Sequence, residues 1–254
     1  MEEYKFDIED LHKSFGEKKV LKGVELKVEK GLSVVIVGGS GVGKSVFLKT
    51  LIGLIKPDRG KILVEGVDIF SLKDRELNEF RKKFGMCFQE GALFDSMTVF
   101  ENIAFPLMRH RVMPMERIKE RVYECLEIVK LKGVENKFPS QLSGGMRRRV
   151  GFARAIALKP EILLFDEPTT GLDPVMTALI AETIKDLMVG DEVTAITITH
   201  DLQAASIIAD KIAMLFDGKI IFYGSMDDFL KSDHPAVVQF RTSNPKGPWT
   251  EEEI

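Results

Sequence analysis

The sequence predicts an α/β fold built on a parallel sheet, and three observations carry that expectation. Short apolar runs recur at residues 32–37, 84–88, 162–165, 193–199 and 212–216, each closed by a polar or glycine break. Continuous runs of this kind suit strands buried on both faces, and strands separated by helical segments imply parallel pairing. A glycine-rich octapeptide joins the first run to an amphipathic segment at residues 44–54. Between about 90 and 158 the periodicity becomes helical, with Ile118, Val122, Leu126 and Val129 on one stripe of residues 115–131.

In chain order, residues 4–37 read as short strands. Ile8, Leu11, Val20, Leu21, Val24, Leu26 and Val28 supply β-type apolar positions, and Gly16, Gly23 and Gly31 break them. After the helix at 44–54, Pro57-Asp58-Arg59-Gly60 is turn chemistry. A helix is expected from Arg147 to Ala157. The division expected is a main domain over residues 1–230, with a helical insertion at about 90–158, and a C-terminal extension over 231–254. Three prolines, Pro235, Pro245 and Pro248, keep that extension from forming a long helix.

Composition narrows the function classes. Of 254 residues, 44% are apolar and 30% charged, the profile of a globular domain with a charged surface. The net charge of −3 gives no bulk attraction to nucleic acid. Cys87 and Cys125 stand in apolar settings without a Cys-x-x-Cys spacing, which reads as buried free thiols in a reducing compartment. The acidic, polar start is unlike a signal peptide, and no window offers eighteen uninterrupted apolar residues. Service to a membrane would therefore run through a partner.

The strongest local signal is Gly38-Gly39-Ser40-Gly41-Val42-Gly43-Lys44-Ser45, between a strand and a helix. Its spacing fits a P-loop, in which glycine backbone N–H groups form an anion nest at a helix N-terminus. Lys44 then reaches the β- and γ-phosphates, Ser45 ligates Mg²⁺, and Val46 continues the helix beside them. The second signal, Ile162-Leu163-Leu164-Phe165-Asp166-Glu167, delivers two carboxylates to a strand's C-terminal end, where open sheets bind ligands. Asp166 suits the shell of a hard cation and Glu167 suits a general base for water. A helix cap accounts for one of these carboxylates and not for two. The third signal, Leu142-Ser143-Gly144-Gly145-Met146, forms another nest at a helix start. A second phosphate-binding helix start without a second nucleotide site makes sense if it closes over the ATP of a facing subunit.

With these motifs the chain, over residues 4 to about 228, resembles the ATP-binding cassette proteins. The resemblance implies a P-loop NTPase core with an antiparallel β subdomain and an inserted helical subdomain. It implies that Phe15 stacks on adenine, that Gln89 senses Mg²⁺ and the γ-phosphate, and that Asp173, in Gly171-Leu172-Asp173, lies on the loop crossing the dimer interface. It also makes His200 the switch histidine, so that Lys44, Glu167 and His200 are the catalytic group. Ser45, Asp166 and Gln89 are the metal side, and Ser143, Gly144 and Gly145 the partner-facing nest. The pattern departs from the family at Met146, where glutamine is usual, and this puts a ribose-side contact in doubt. The following Arg147-Arg148-Arg149 run reads as a solvated or backbone-binding helix face, since no aromatic residues interleave it.

The string from Gly91 to Leu107, the methionine and arginines after the signature glycines, and the tail with Gln239-Phe240-Arg241 and Gly247-Pro248 resemble the ATPases of lipid-asymmetry (mammalian-cell-entry type) phospholipid transporters. That resemblance implies a homodimer on the cytoplasmic face of the inner membrane, bound to integral membrane permease subunits, with accessory and lipid-binding subunits beside them. It implies a tail that reaches across to the second subunit. An ATPase of an amino-acid or other small-solute importer, or a soluble non-transport cassette ATPase, are the alternatives.

Overall fold

Side-chain alternation along the strands of one sheet divides the apolar residues of this chain between two cores. The computed structural model describes residues 4–89, 91–110, 113–188 and 193–250. Its larger sheet contains β3 (Ser33–Val37), β6 (Phe84–Cys87), β7 (Ile162–Asp166), β8 (Thr194–Thr199), β9 (Lys211–Phe216) and β10 (Lys219–Gly224) in the order β10-β9-β3-β8-β7-β6. All neighbours pair in parallel except β10, which is antiparallel to β9. Val34, Ile36, Leu164, Ile196 and Leu215 face one way, with Phe47, Leu48 and Leu51 of α1 (Lys44–Leu51). Val35, Val37, Phe165, Ala195 and Met214 face the other. The period of two that defines a strand thus places apolar side chains on both faces of the sheet.

The smaller sheet, β1 (Tyr4–Phe15), β2 (Lys18–Glu29), β4 (Arg59–Val64) and β5 (Val67–Asp68), is antiparallel in the order β2-β1-β4-β5. Phe6, Ile8, Leu11, Leu26 and Ile62 point from it into the α1-side core. Between β6 and β7 stand α3 (Val99–His110), α4 (Met115–Ile128) and α5 (Gly144–Ala155), with a 3₁₀ turn at Pro139–Gln141. Phe152 of α5 meets Phe165 of β7 edge-on at 5.3 Å, which seats these helices on the opposite face of the larger sheet. That face is also covered by α6 (Pro174–Asp186) and α7 (Leu202–Ile208).

Five features differ from the sequence reading. The first strands are long rather than short, because Gly23 lies within β2 at φ +92°, close to slips in the β1–β2 register that let both strands continue. The 57–60 turn runs directly into β4, where Arg59 and Lys61 alternate with buried Ile62 and Val64; the charges hide a half-buried strand from any search for apolar runs. α2 (Asp74–Phe80), which buries no residue, escaped for the same reason, while β10 carries the apolar run Ile220–Tyr223 that the sequence reading passed over. α1 ends at Leu51, three residues early, as Gly53 turns left-handed at φ +69°. α5 starts at Gly144 rather than Arg147, because the Ser143 hydroxyl accepts the Met146 N–H and caps it there.

The tail carries more structure than its prolines suggested. α8 (Met226–Lys231) buries Phe229, and α9 (Pro235–Thr242) begins on its proline and buries Ala236 and Val237. Its described residues pack on their own chain, with Phe240 and Trp249 against the core on the helical side. Residues 1–3 and 251–254, at the ends of the expected divisions, lie outside the described residues.

Candidate nucleotide site

Four neighbouring parallel strands deliver the site residues from their C-terminal ends. β3 leads into the loop 38–43 and α1, β6 into Gln89, β7 into Asp166 and Glu167, and β8 into His200. A cleft of about 510 Å³ opens there, lined by Phe15, Ser40, Lys44, Gln89, Glu167 and His200 among others, with Gly41, Gly43, Ser45 and Val46 along its floor. Parallel pairing gathers segments far apart in sequence, since every strand ends on the same edge.

Lys44 is the buried cation of this cleft, 7% exposed. Its ammonium donates to the carbonyls of Gly38 at 2.8 Å and Gly39 at 2.9 Å and lies 3.4 Å from Glu167 Oε1. Burial holds its pKa below the ordinary lysine value, opposed by the Glu167 charge. Three donors on an ammonium and two fixed carbonyls leave one direction for an anion. Gly43, the N-cap of α1, has left-handed backbone, and Val42 packs on the α1-side core.

Ser45 Oγ donates to Asp166 Oδ1 at 3.0 Å, so the hydroxyl and carboxylate sit together where strand and helix ends meet. Burial raises the Asp166 pKa, against the Ser45 hydrogen bond; a carboxylate held in a setting that disfavours its charge is ready for a cation. Among the described residues no group of three or more His, Cys, Asp or Glu could hold a metal alone. The adjacent Ser45 hydroxyl and Asp166 carboxylate fit Mg²⁺, which takes one or two protein oxygens and completes its shell from phosphates and water.

Glu167 adopts left-handed backbone at φ 49°, a sparsely populated state for a non-glycine residue and a recurrent mark of functional positions. Its Oε2 takes a hydrogen bond from Thr170 Oγ1 at 2.9 Å and lies 2.8 Å from His200 Nδ1. His200 is 51% exposed at the side chain while Glu167 is 16% exposed, so the pair runs from the interior to the cleft surface. Phe15 is 51% exposed at the end of β1, lining the cleft with the Lys13 ammonium over its ring at 5.4 Å.

The signature and interface residues stand apart from this cleft. Ser143, Gly144 and Gly145 do not line it, and Ser143 is exposed at the head of α5. Asp173 is exposed and caps α6, accepting from Val175 and Met176 N–H at 3.0 Å each. Val175 beside it is 78% exposed. The chain alone thus presents half of the expected constellation at the cleft, while Ser143 and Asp173 are exposed elsewhere and Gly145 is buried against Met176.

Sequence reasoning missed two groups. Thr170, three residues beyond Glu167, lies beside that carboxylate and donates to it, and its position in the loop after a strand was the available signal. Lys18 and Val20 line the cleft just past Phe15. The arginines of α5 bind backbone, one of the two readings their sequence offered. Arg148, 8% exposed, donates to the carbonyls of Gln89 at 3.0 Å and Thr170, while Arg149 donates to Val129 and Lys130. Arg154 donates to Gly91 and Ala92. The run is therefore a backbone-binding face.

The family model for ABC transporters matches residues 21–170. The probable ribonucleotide transport ATP-binding protein mkl of Mycobacterium leprae is 44% identical over 242 residues, covering 95% of this chain and 70% of its own. The intermembrane phospholipid transport system ATP-binding protein MlaF of Haemophilus influenzae is 40% identical, covering 95% of this chain and 92% of its own. Among solved structures, a dimeric post-hydrolysis state of the ATP-binding cassette MJ0796 bound to ADP and Pi superposes with a TM-score of 0.79 and 34% identity. It covers 87% of this chain and 98% of that one.

Proposed function

The chain belongs to the ABC transporter family and hydrolyses ATP, and from that premise we propose that it powers phospholipid transport through an integral membrane permease as one half of a homodimer. The observation that carries the cargo is the match to the MlaF relative, which covers 95% of this chain and 92% of that one. The relative named for ribonucleotide transport offers a second reading of the cargo, over a smaller share of its own length. Among the described residues no helix is long and apolar enough to cross a membrane, so a separate permease would form the passage. The place that follows is peripheral, on the cytoplasmic face of the inner membrane. Accessory and lipid-binding subunits belong to the same proposal.

ATP occupies the cleft with adenine on Phe15 and its phosphates over the loop 38–43, where backbone N–H groups and Lys44 meet their charge. Ser45, Asp166 and Gln89 would hold Mg²⁺, which neutralises charge on the phosphate oxygens. Glu167 accepts the proton of the attacking water, and His200 and Thr170 hold its carboxylate in position. When phosphate draws the Lys44 ammonium, Glu167 Oε1 loses a competing partner. Ser143, Gly144 and Gly145 of a second copy complete the site, a reading supported by the exposure of Ser143 away from the cleft and by the dimeric, ADP- and Pi-bound relative. Asp173 falls on that shared boundary.

The permease would dock on the surface beyond Gln89. Phe94 and Phe105 form an exposed ring pair with centroids 4.8 Å apart, beside exposed Met108. Asn102, fully buried, donates to the carbonyls of Phe94, Met97 and Thr98 and accepts the Phe94 N–H, which makes this loop a shaped surface. The test is purification with the membrane partner and reconstitution in vesicles. ATP-dependent transfer of labelled phospholipid is the expected result; movement of ribonucleotides or amino acids with no lipid transfer would overturn the cargo, and absence of any membrane partner would overturn the transport role.

A further inference from the structure

The only tryptophan of the chain, Trp249, lies against the phosphate loop. A β-carbon built on Gly39 would stand 2.7 Å from Trp249 Cζ3 and 3.0 Å from Cε3, so the indole touches the backbone of the loop's second residue with no space between. Side chains at that position would collide with the ring, and the ring in turn limits how far the Gly39 backbone can move.

The tail builds a rigid mount for this indole. Trp249 Nε1 donates to the Ala236 carbonyl at 2.9 Å and the Trp249 backbone N–H donates to Gln239 Oε1 at 2.8 Å. Gln239, only 6% exposed, turns its amide to the Asn244 carbonyl at 3.1 Å, closing the segment after α9 on itself. The ring packs edge-on against Phe216, the last residue of β9, at 4.6 Å, and against Phe240 at 5.8 Å. The indole N–H, the backbone N–H and two ring contacts of Trp249 thus all go to fixed neighbours. A frayed terminus has no reason to satisfy an indole N–H and a buried amide together.

Gly39 is also where Lys44 is aimed. The Gly38 and Gly39 carbonyls hold two of the three ammonium donors and leave the third for a phosphate. A shift of the Gly39 peptide therefore changes the direction of the buried cation. We propose that Trp249 is a positioning residue for nucleotide binding: held by α9, its indole braces the Gly39 backbone and thereby fixes the carbonyls that aim Lys44 at the phosphates. This rests on the reading of the cleft as the nucleotide site.

The test uses the full chain and its Trp249→Ala and Trp249→Phe variants, with MgATP as the probe. If removing the ring lowers the binding-competent fraction of the loop to about a tenth, the apparent dissociation constant for ATP rises about tenfold in Trp249→Ala. Its kcat at saturation is expected to stay within a factor of about three, because Glu167 and His200 are untouched. Trp249→Phe, which keeps a flat ring, restores most of the affinity. A structural plug alone would lower the melting temperature and leave the affinity where it was. Wild-type Trp249 gives a readout that needs no variant: its emission shifts on titration with MgATP, with the midpoint of an independent binding measurement. Unchanged ATP affinity in Trp249→Ala, equal losses in the Ala and Phe variants, or emission indifferent to saturating MgATP would each overturn the proposal. Failure of the cleft reading is distinct, because the wild-type chain would then not bind MgATP at all.

Discussion

Changing Glu167 to Gln replaces one carboxylate oxygen by an amide nitrogen and leaves side-chain length and shape the same. The strained backbone at φ 49° tolerates either residue equally, so folding is expected to be unaffected. The amide cannot accept a proton from water, and loss of a positioned general base costs about 10²- to 10⁴-fold in kcat. Binding moves the other way. Glu167 Oε1 stands 3.4 Å from the Lys44 ammonium and competes with phosphate for it. Removing a charged contact worth about 1.5 kcal/mol should tighten ATP binding by up to about tenfold. The variant should therefore accumulate as a nucleotide-loaded dimer, seen as doubled mass by light scattering with MgATP, while phosphate release falls to background. Glu167 also opposes the burial that lowers the Lys44 pKa, so ATP binding should fail at a lower alkaline pH in Glu167→Gln than in the wild type. Phosphate release within a few-fold of the wild-type rate would remove Glu167 from its role.

Mixing a Ser143→Arg chain with a Lys44→Ala chain places both lesions in one site of a mixed dimer and leaves the other intact. Partial recovery of hydrolysis is expected, and a Ser143→Cys to Ser40→Cys disulfide should form between chains; its absence across subunits would sink the shared-site reading. The native Cys87 and Cys125 are buried, with thiol pKa values raised by burial, so they will not interfere. Met146→Gln should hydrolyse ATP at close to the wild-type rate, since the nest is built by Ser143, Gly144 and Gly145; a loss of orders of magnitude would show a specific role for methionine. Arg148→Met should lower kcat by about tenfold or more with little change in ATP affinity, because it frees the Gln89 and Thr170 carbonyls outside the phosphate loop; steady-state kinetics beside direct ATP binding separates the two. Glu65 bonds Lys5 first and Lys83 second, and its pKa is lowered from 4.5 to about 2. A depressed carboxylate contributes stability that is full above about pH 4.5 and is lost as pH falls toward about 2. Glu65→Gln should therefore cost about 1–2 kcal/mol at neutral pH, after allowance for solvent screening, and flatten acid unfolding over that window. Melting curves that stay parallel to the wild type from pH 7 to 2 would refute it.

Complete burial and helical period were the two legible signals. β3 and β8 show no exposed position, so their apolar or threonine-rich runs announce them, and α4 is largely exposed but keeps a stripe through Ile118, Val122 and Leu126. In β4 and α2 charged residues dilute both signals; β10 carries an apolar run, Ile220–Tyr223, that the sequence reading passed over. The site divides along a different line. Gly38–Ser45, Asp166, Glu167 and Gln89 act through residue type at fixed spacing or at the end of a recognisable strand, and spacing is a sequence property. Thr170 and Arg148 act through a hydroxyl three residues from its target and a guanidinium 59 residues from its own. Only the folded chain brings those partners together, since polar contacts of that separation leave no period to read. The tail forms no long helix, but its prolines did not announce the short one: Pro235 opens α9, where a missing N–H costs nothing.

The arginine run after the signature glycines has a physical consequence for how the half-sites communicate. Arg148 is planar, and its Nε and Nη2 reach Gln89 and Thr170 at once, from α5 to the loop beyond β6 and to the loop beyond β7. Thr170 in turn bonds the Glu167 carboxylate. Arg154, six residues further along α5, donates to the Gly91 and Ala92 carbonyls, two and three residues past Gln89, and covers the Phe94 ring at 5.8 Å. Ser143, offered outward to a second copy, stands on the same helix as both arginines. If α5 shifts when a second copy closes on it, the loops carrying Gln89, Thr170 and Gly91–Ala92 are expected to shift with it, because its guanidinium groups bond carbonyls on those loops. The same bonds run in reverse. A permease pressing on Phe94 and Phe105 acts through Arg154 on α5, and through α5 on the position of Ser143. One helix thus joins the surface expected to meet the permease, the residue expected to meet the partner's ATP and the carboxylate expected to activate water. A lysine at 148, with a single rotating ammonium in place of a planar fork, would keep the charge and lose that rigidity.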